Sequence, residues 1–211
     1  DDFERYLERV RKAGIAIPIV PGILPVHNLS QVQKFAGLCG ASVPGWLAER
    51  GLAPGGYITL GLGARRAKKQ PTTEQVLRWT RHFHEAWGLK TVFMWTPGKS
   101  DNPLYPGDDD TAQPVLDAQL PWLVPYRGVL KNALGLIWHG RTSLFPDSGL
   151  MHFAAASPGG VLGFFADTEV SPAPAQWGPI GPKALWLEAP KAVSQLDDEA
   201  VLAKLSQLLG H

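Results

Sequence analysis

The chain has 211 residues, 20 Lys+Arg against 19 Asp+Glu, a net charge of +1 and 45% hydrophobic content. That length and apolar share suffice for one large domain, or a domain plus a fragment, and exclude general disorder, while the balanced charge gives no electrostatic case for nucleic acid or an anionic bilayer. No apolar run approaches the ~18 residues of a membrane span, the opening residues do not read as a secretory signal, and a lone Cys39 excludes a disulfide framework, so a cytoplasmic location is expected.

The 23 Gly and 19 Pro are spread between apolar runs and punctuate many short elements. Phe3, Tyr6, Leu7 and Val10 recur at i, i+3, i+4, i+7 and predict an amphipathic helix closed by Gly14. Ile15 to Val20 then reads as a buried strand that leaves into the rigid run Pro21-Gly22-Ile23-Leu24-Pro25, and Asn28 can cap a second helix closed near Gly40. The first fifty residues are thus helix, strand, helix, and Leu52-Ala53-Pro54-Gly55-Gly56 is a linker by composition.

Tyr57 to Leu60 restarts the alternation as a strand running into Gly61, Gly63 and a basic turn with Arg65, Arg66, Lys68 and Lys69. Thr72-Thr73-Glu74-Gln75 has the capping-box spacing, and Val76, Leu77, Thr80, Phe83 and Trp87 line one face of a helix ending at Gly88. Thr91 to Trp95 is a strand, and the polar, Pro-rich stretch from Pro97 to Pro114 is a surface excursion. Trp122 to Val124, Thr142 to Phe145, Val161 to Phe165 and Leu185 to Leu187 are further strands, with a helix from Val129 to Trp138 between the first two. Asp147 is expected to cap a helix through Ala156, Ala166 to Pro182 is a long loop, and an Asp197-capped helix runs to Leu209. Repeated βα alternation predicts an α/β fold: a Rossmann-like parallel sheet with helices on both faces and right-handed crossovers.

In such a sheet, ligands bind beyond the carboxyl ends of the strands, which singles out three places. Gly61 to Lys69 combines permissive backbone and cations ahead of a capped helix, a phosphate-type arrangement without the Walker pattern; a flexible turn with a solvated basic face is the alternative. Asp147-Ser148-Gly149-Leu150-Met151-His152 sets Asp147 and Ser148 at a helix start with His152 one turn on, either a ligand rim or simply an N-cap with a core histidine. A Ser-His-Asp triad is a poor reading there, since the flanks lack the Gly-x-Ser-x-Gly elbow. Asp167, Thr168 and Glu169 after a buried strand can hold a polar ligand or cap their own loop. No metal is expected: His82 and His84 at i, i+2 do not face one ion, and Asp108 to Asp110 lack the Gly and terminal Glu of a calcium loop.

Four of these pieces stand in a known order. A strand leads into Lys68-Lys69-Gln70-Pro71, followed by Thr96-Pro97-Gly98, then Asp147-Ser148-Gly149-Leu150-Met151-His152-Phe153-Ala154-Ala155-Ala156, then Phe165-Ala166-Asp167-Thr168-Glu169. Residues of about 54 to 211 therefore resemble the C-terminal, donor-binding half of a heptosyltransferase-like family nine glycosyltransferase of GT-B architecture, an activity of lipopolysaccharide biosynthesis. Where that family has Lys-x-Trp-Pro, Gly-Pro-Gly and Phe-Gly-Pro-Thr-Asp, this chain departs with Gln70 for Trp and Ala166 for Gly. The resemblance implies that Lys68 meets the diphosphate of a nucleotide diphosphate or nucleotide-sugar, and that Asp147, Ser148, Gly149 and His152 hold that donor. It assigns no catalytic residue, because the acceptor site and base lie in the family's N-terminal half.

Residues 1 to about 47 resemble something else. Ala13-Gly14-Ile15, the run Pro18 to Pro25, Phe35-Ala36, Cys39-Gly40-Ala41 and Pro44-Gly45-Trp46-Leu47 look like a late βα segment of a methylenetetrahydrofolate reductase barrel. One strand end of a barrel cannot supply a flavin site, so no cofactor is expected. The two resemblances together describe a composite or engineered chain, with residues 1–50 as a barrel-type βα unit that extends the sheet of a nucleotide-sugar-binding domain at 54–211. Weak donor binding without turnover is the expected property. A glycosyltransferase whose acceptor half is supplied elsewhere and a folate or flavin binder are the alternatives. Should the first fifty residues stand apart from the sheet, a domain-swapped homodimer is expected, since an orphan strand must bury its faces.

Overall fold

A computed structural model describes residues 11–12, 51–63, 66–102, 106–169 and 173–210. The strand expected at Ile15 to Val20, the helix at Asn28 and the junction of the first unit with the sheet lie outside the described residues; Arg11 and Lys12 are helical. Among the described residues six strands, β1 (Tyr57–Gly61), β2 (Lys90–Met94), β3 (Leu123–Tyr126), β4 (Thr142–Pro146), β5 (Val161–Ala166) and β6 (Ala184–Ala189), form one sheet in the order β3-β2-β1-β4-β5-β6. Every pairing is parallel. β1, β4 and β5 are buried along their whole length, as strands covered on both faces must be.

Besides the helical Arg11 and Lys12, the described residues form helices α1 (Thr73–Trp87), α2 (Asp109–Asp117), α3 (Leu130–His139), α4 (Gly149–Ala155), α5 (Pro174–Trp177) and α6 (Asp198–Leu209). On one face Ile58, Leu60, Phe93, Leu144 and Leu162 pack with Val76, Trp79 and Phe83 of α1, Val115 of α2 and Val201 and Leu205 of α6. On the other, Tyr57, Val92, Phe145 and Phe165 pack with Leu136 and Ile137 of α3 and Met151 and Ala154 of α4. The result is the three-layer α/β architecture that the alternation predicts.

Local chemistry sets the helix ends. Thr72 and Gln75 form the expected capping box, Gly88 closes α1 in the left-handed region at φ 64°, and Asp197 accepts from Glu199 and Ala200 to start α6. Asp198 joins the two helices, accepting from Arg78 and from the Trp79 indole at 2.6 Å each.

Two expectations are corrected. The stretch from Pro97 to Pro114 is not wholly irregular, because α2 begins at Asp109 and three adjacent carboxylates fasten the preceding loop. Asp108 accepts from the Thr96 N–H at 2.9 Å, Asp109 from the Trp95 indole at 2.8 Å and the Gly98 N–H at 3.0 Å, and Asp110 from Ser100 Oγ at 2.7 Å. Asp147 does not cap α4: its carboxylate turns to Lys69, and the N-cap position falls to Ser148, whose hydroxyl makes no capping bond. A charge-assisted bond to the Lys69 ammonium is stronger than one to the neutral N–H groups of a helix start.

Candidate functional site

The order β3-β2-β1-β4-β5-β6 reverses between β1 and β4, and the crevice outside such a switch point is where open α/β sheets take ligands. A cleft of about 210 Å³ lies there, lined by Gly61 and Gly63 after β1, Trp95 and Thr96 after β2, Tyr126 of β3, Phe145 of β4, and Leu130 and Leu150 from the starts of α3 and α4, among others. Its wall is mainly apolar. Gly61 makes room for it: a Cβ there would lie 2.3 Å from Cε1 of Phe145, so only glycine lets that ring lie against β1. Tyr126 spends its hydroxyl on the Val129 carbonyl at 2.9 Å, and burial pushes its acidity down, holding it as a neutral phenol.

Beside the cleft runs a polar strap. After β1 the chain makes a 3-10 turn at Ala67–Lys69, and three successive side chains reach three separate carboxylates. Lys68 Nζ meets Asp167 Oδ2 at 2.5 Å, Lys69 Nζ meets Asp147 Oδ2 at 2.6 Å, and Gln70 Nε2 donates to Asp108 Oδ1 at 2.5 Å. Because Asp147 follows β4, Asp167 follows β5 and Asp108 holds the loop after β2, the turn fastens together the carboxyl ends of the sheet across the switch point. The Lys68 and Lys191 ammonium groups hold the Asp167 carboxyl below the usual carboxylate range, hydrogen bonding from Lys68 being the larger cause.

The residues singled out in the sequence take different places. Lys68 is on the strap with its side chain 32% exposed, and Asp147 is the strap's anchor on β4. The Ser148 hydroxyl is buried without a hydrogen-bond partner. Gly149 is exposed, with open space where a Cβ would point. His152 is exposed on α4, and Leu150 is the α4 residue that lines the cleft. Sequence reasoning placed Lys69 with Lys68 in the basic turn but missed Asp108 and the cleft residues Trp95, Tyr126 and Phe145 as site components. The aromatics carry no local signal: Trp95 and Phe145 read as strand residues, and Tyr126 lies beyond the predicted strand at Trp122 to Val124.

An open parallel sheet with helices on both faces, and with its cleft and charged strap at the switch point, defines a Rossmann-like α/β domain. Among solved structures, the fold matches a family nine glycosyl transferase from Veillonella parvula with a TM-score of 0.62 at 20% identity, over 86% of this chain and 51% of that one. It matches E. coli heptosyltransferase WaaC with ADP at 0.64 and 16% identity, over 94% and 53%, and E. coli ADP-heptose lps heptosyltransferase II at 0.62 and 18% identity, over 92% and 55%. The chain therefore spans about half the length of these structures.

At the other end, the methylenetetrahydrofolate reductase family matches residues 1–53. The E. coli 5,10-methylenetetrahydrofolate reductase is 41% identical over 49 residues, 23% of this chain and 17% of that enzyme. The Pectobacterium carotovorum reductase is 45% identical over 47 residues, 22% and 16%. A heptosyltransferase-like fold and a short reductase-like segment thus occur in one chain. Among the described residues, no helix is long and apolar enough to cross a membrane.

Proposed function

We propose that the carboxyl edge of this sheet is the donor side of a glycosyl-transfer site, binding a nucleoside diphosphate or its sugar conjugate with the base in the apolar cleft and the diphosphate towards Lys68. The observation that carries the reading is the apolar cleft set directly beside a cationic strap at the switch point, with β4 supplying Phe145 to one and Asp147 to the other. Of the two strap lysines, Lys68 is the one a ligand can reach, since Lys69 is only 10% exposed and held by Asp147. The unpartnered Ser148 hydroxyl and the open space at Gly149 complete the rim, with His152 one turn further along α4. The fold neighbour solved with ADP supports the same ligand class.

We also propose that the chain is a composite, a reductase-like unit at 1–50 joined to a donor-binding domain at 54–211, and that these residues alone do not transfer sugar. Transfer needs a base aligned on an acceptor hydroxyl, and in a two-domain fold that group comes from the facing domain. The match at residues 1–53 favours a second reading, a flavin or folate binder. Against it, the described sheet is open and doubly wound, whereas a barrel flavin site draws on several strand ends of a closed barrel. A flavin absorbance band near stoichiometric level in the purified protein would restore that reading.

Calorimetry with ADP at low salt tests the first. A weak, salt-sensitive signal is expected, falling several-fold in Lys68→Ala as the cation that meets the diphosphate is lost. Unchanged affinity in Lys68→Ala removes the phosphate role of that residue, and sugar transfer by these residues alone overturns the half-site argument.

A further inference from the structure

Lys68 is the cation a phosphate needs, and it already has an anionic partner. Asp167 takes Lys68 on one carboxylate oxygen and Lys191 on the other at 3.3 Å, while Lys191 also reaches Glu169 at 3.6 Å. The two lysines differ in access. Lys68 lies on the strap at 32% side-chain exposure, and Lys191 stands at 67%.

The backbone is shaped to aim this carboxylate. Asp167 is 8% exposed at the end of β5, with φ at +55° and its N–H donating to the Ala189 carbonyl at 3.1 Å. Few residues other than glycine accept that conformation, and aspartate is among those that do. The pattern that Phe165 to Glu169 resembles has Pro where this chain has Asp167.

We infer that Asp167 is an internal counter-ion that a diphosphate must displace from Lys68, and so sets the affinity of this edge for anionic ligands. The inference rests on the donor-site reading above. When a diphosphate arrives, Lys68 exchanges one anion for another, so the net gain is the difference between two charge-assisted contacts and not one whole contact. Lys191 remains to match the charge of Asp167 after Lys68 leaves. A neutral nucleoside, which places no charge at Lys68, does not feel the exchange.

The test is a double-mutant cycle on the full chain, reading ADP and adenosine binding by calorimetry in the wild type, Asp167→Asn, Lys68→Ala and the pair. Asp167→Asn should tighten ADP about three- to tenfold, the scale of releasing a partly exposed ion pair, and leave adenosine unchanged. The gain should vanish in the Lys68→Ala background, because no cation is left to release. Asp167→Gly, which adopts φ +55° without strain, repeats the measurement if the Asn variant folds poorly. Equal or weaker ADP binding in both Asp167 variants overturns the inference while leaving the donor site standing. A gain that persists without Lys68 also overturns it, pointing to repulsion through space. Wild-type affinity in Lys68→Ala removes Lys68 from the phosphate contact and overturns the inference, while no ADP binding by any form defeats the donor-site reading itself.

Discussion

The Lys69 ammonium and the Asp147 carboxylate meet at 2.6 Å with their side chains only 10% and 15% exposed, and this pair ties the turn after β1 to the end of β4. Removing one partner strands the other charge in a poorly solvated place. Lys69→Met should therefore destabilise the fold by about 2–4 kcal/mol, somewhat below the cost of breaking a fully buried pair. The double variant Lys69→Met, Asp147→Leu should recover much of that loss, since neither charge then remains to be desolvated. Urea unfolding of the two single variants and the pair measures this. A Lys69→Met protein as stable as the wild type would show that the pair is solvated and only incidental to the strap.

How far the sequence announced this site can be seen from the same residues. The alternation of short apolar runs with capped helices predicted the parallel sheet, and Thr72, Gln75, Gly88 and Asp197 sit where their chemistry placed them. Those signals are local, carried within one turn of the chain. The partners of Lys68 and Lys69 are not local: Asp167 and Asp147 arrive from β5 and β4, and only the strand order brings them to one turn. The same holds for Gly61, which reads as a turn glycine until the Phe145 ring is seen occupying its Cβ space. Asp147 shows why the capping expectation failed, because a side chain that can cap can also pair, and nothing nearby in sequence reveals the competing ammonium. The helix at Asp109 escaped notice because its Pro114 and its run of acids read as loop, while their role is to hold the loop before them.

That loop gives a pH prediction. The Trp95 indole and the Gly98 N–H hold the Asp109 carboxyl below the usual carboxylate range, and bonds from Ser100 do the same for Asp110. Because both groups are more acidic folded than unfolded, their contribution is complete above the ordinary carboxylate value of about 3.9 and is lost as pH falls through the lower folded values. An NMR titration of the Trp95 indole and the Gly98 and Ser100 amides should show them shifting together, with midpoints below about 3.9. Midpoints at or above that value would mean that the carboxylates do not hold the loop in solution. Since Trp95 and Thr96 line the cleft, the same titration reports whether the cleft wall loosens in acid.

Gly149 offers the cleanest separation of stability from binding. It is the first residue of α4, it does not sit in the left-handed region, and nothing lies within 4 Å of the place where a Cβ would be. Neither the backbone nor the packing of the described chain requires a glycine there. Alanine is also the better helix former, by up to about 1 kcal/mol in a helix interior and less at a first position. Gly149→Ala should therefore leave urea stability unchanged or slightly raised. The rim formed by Asp147, Ser148 and Gly149 faces a different demand if a nucleotide diphosphate packs against it, since an added methyl would then stand between ligand and backbone. ADP affinity measured by calorimetry should fall about tenfold in Gly149→Ala, a loss of the size of one charge-assisted contact. Undiminished affinity would place the ligand away from this residue. A fall in stability alongside the fall in binding would instead assign the glycine a part in the fold.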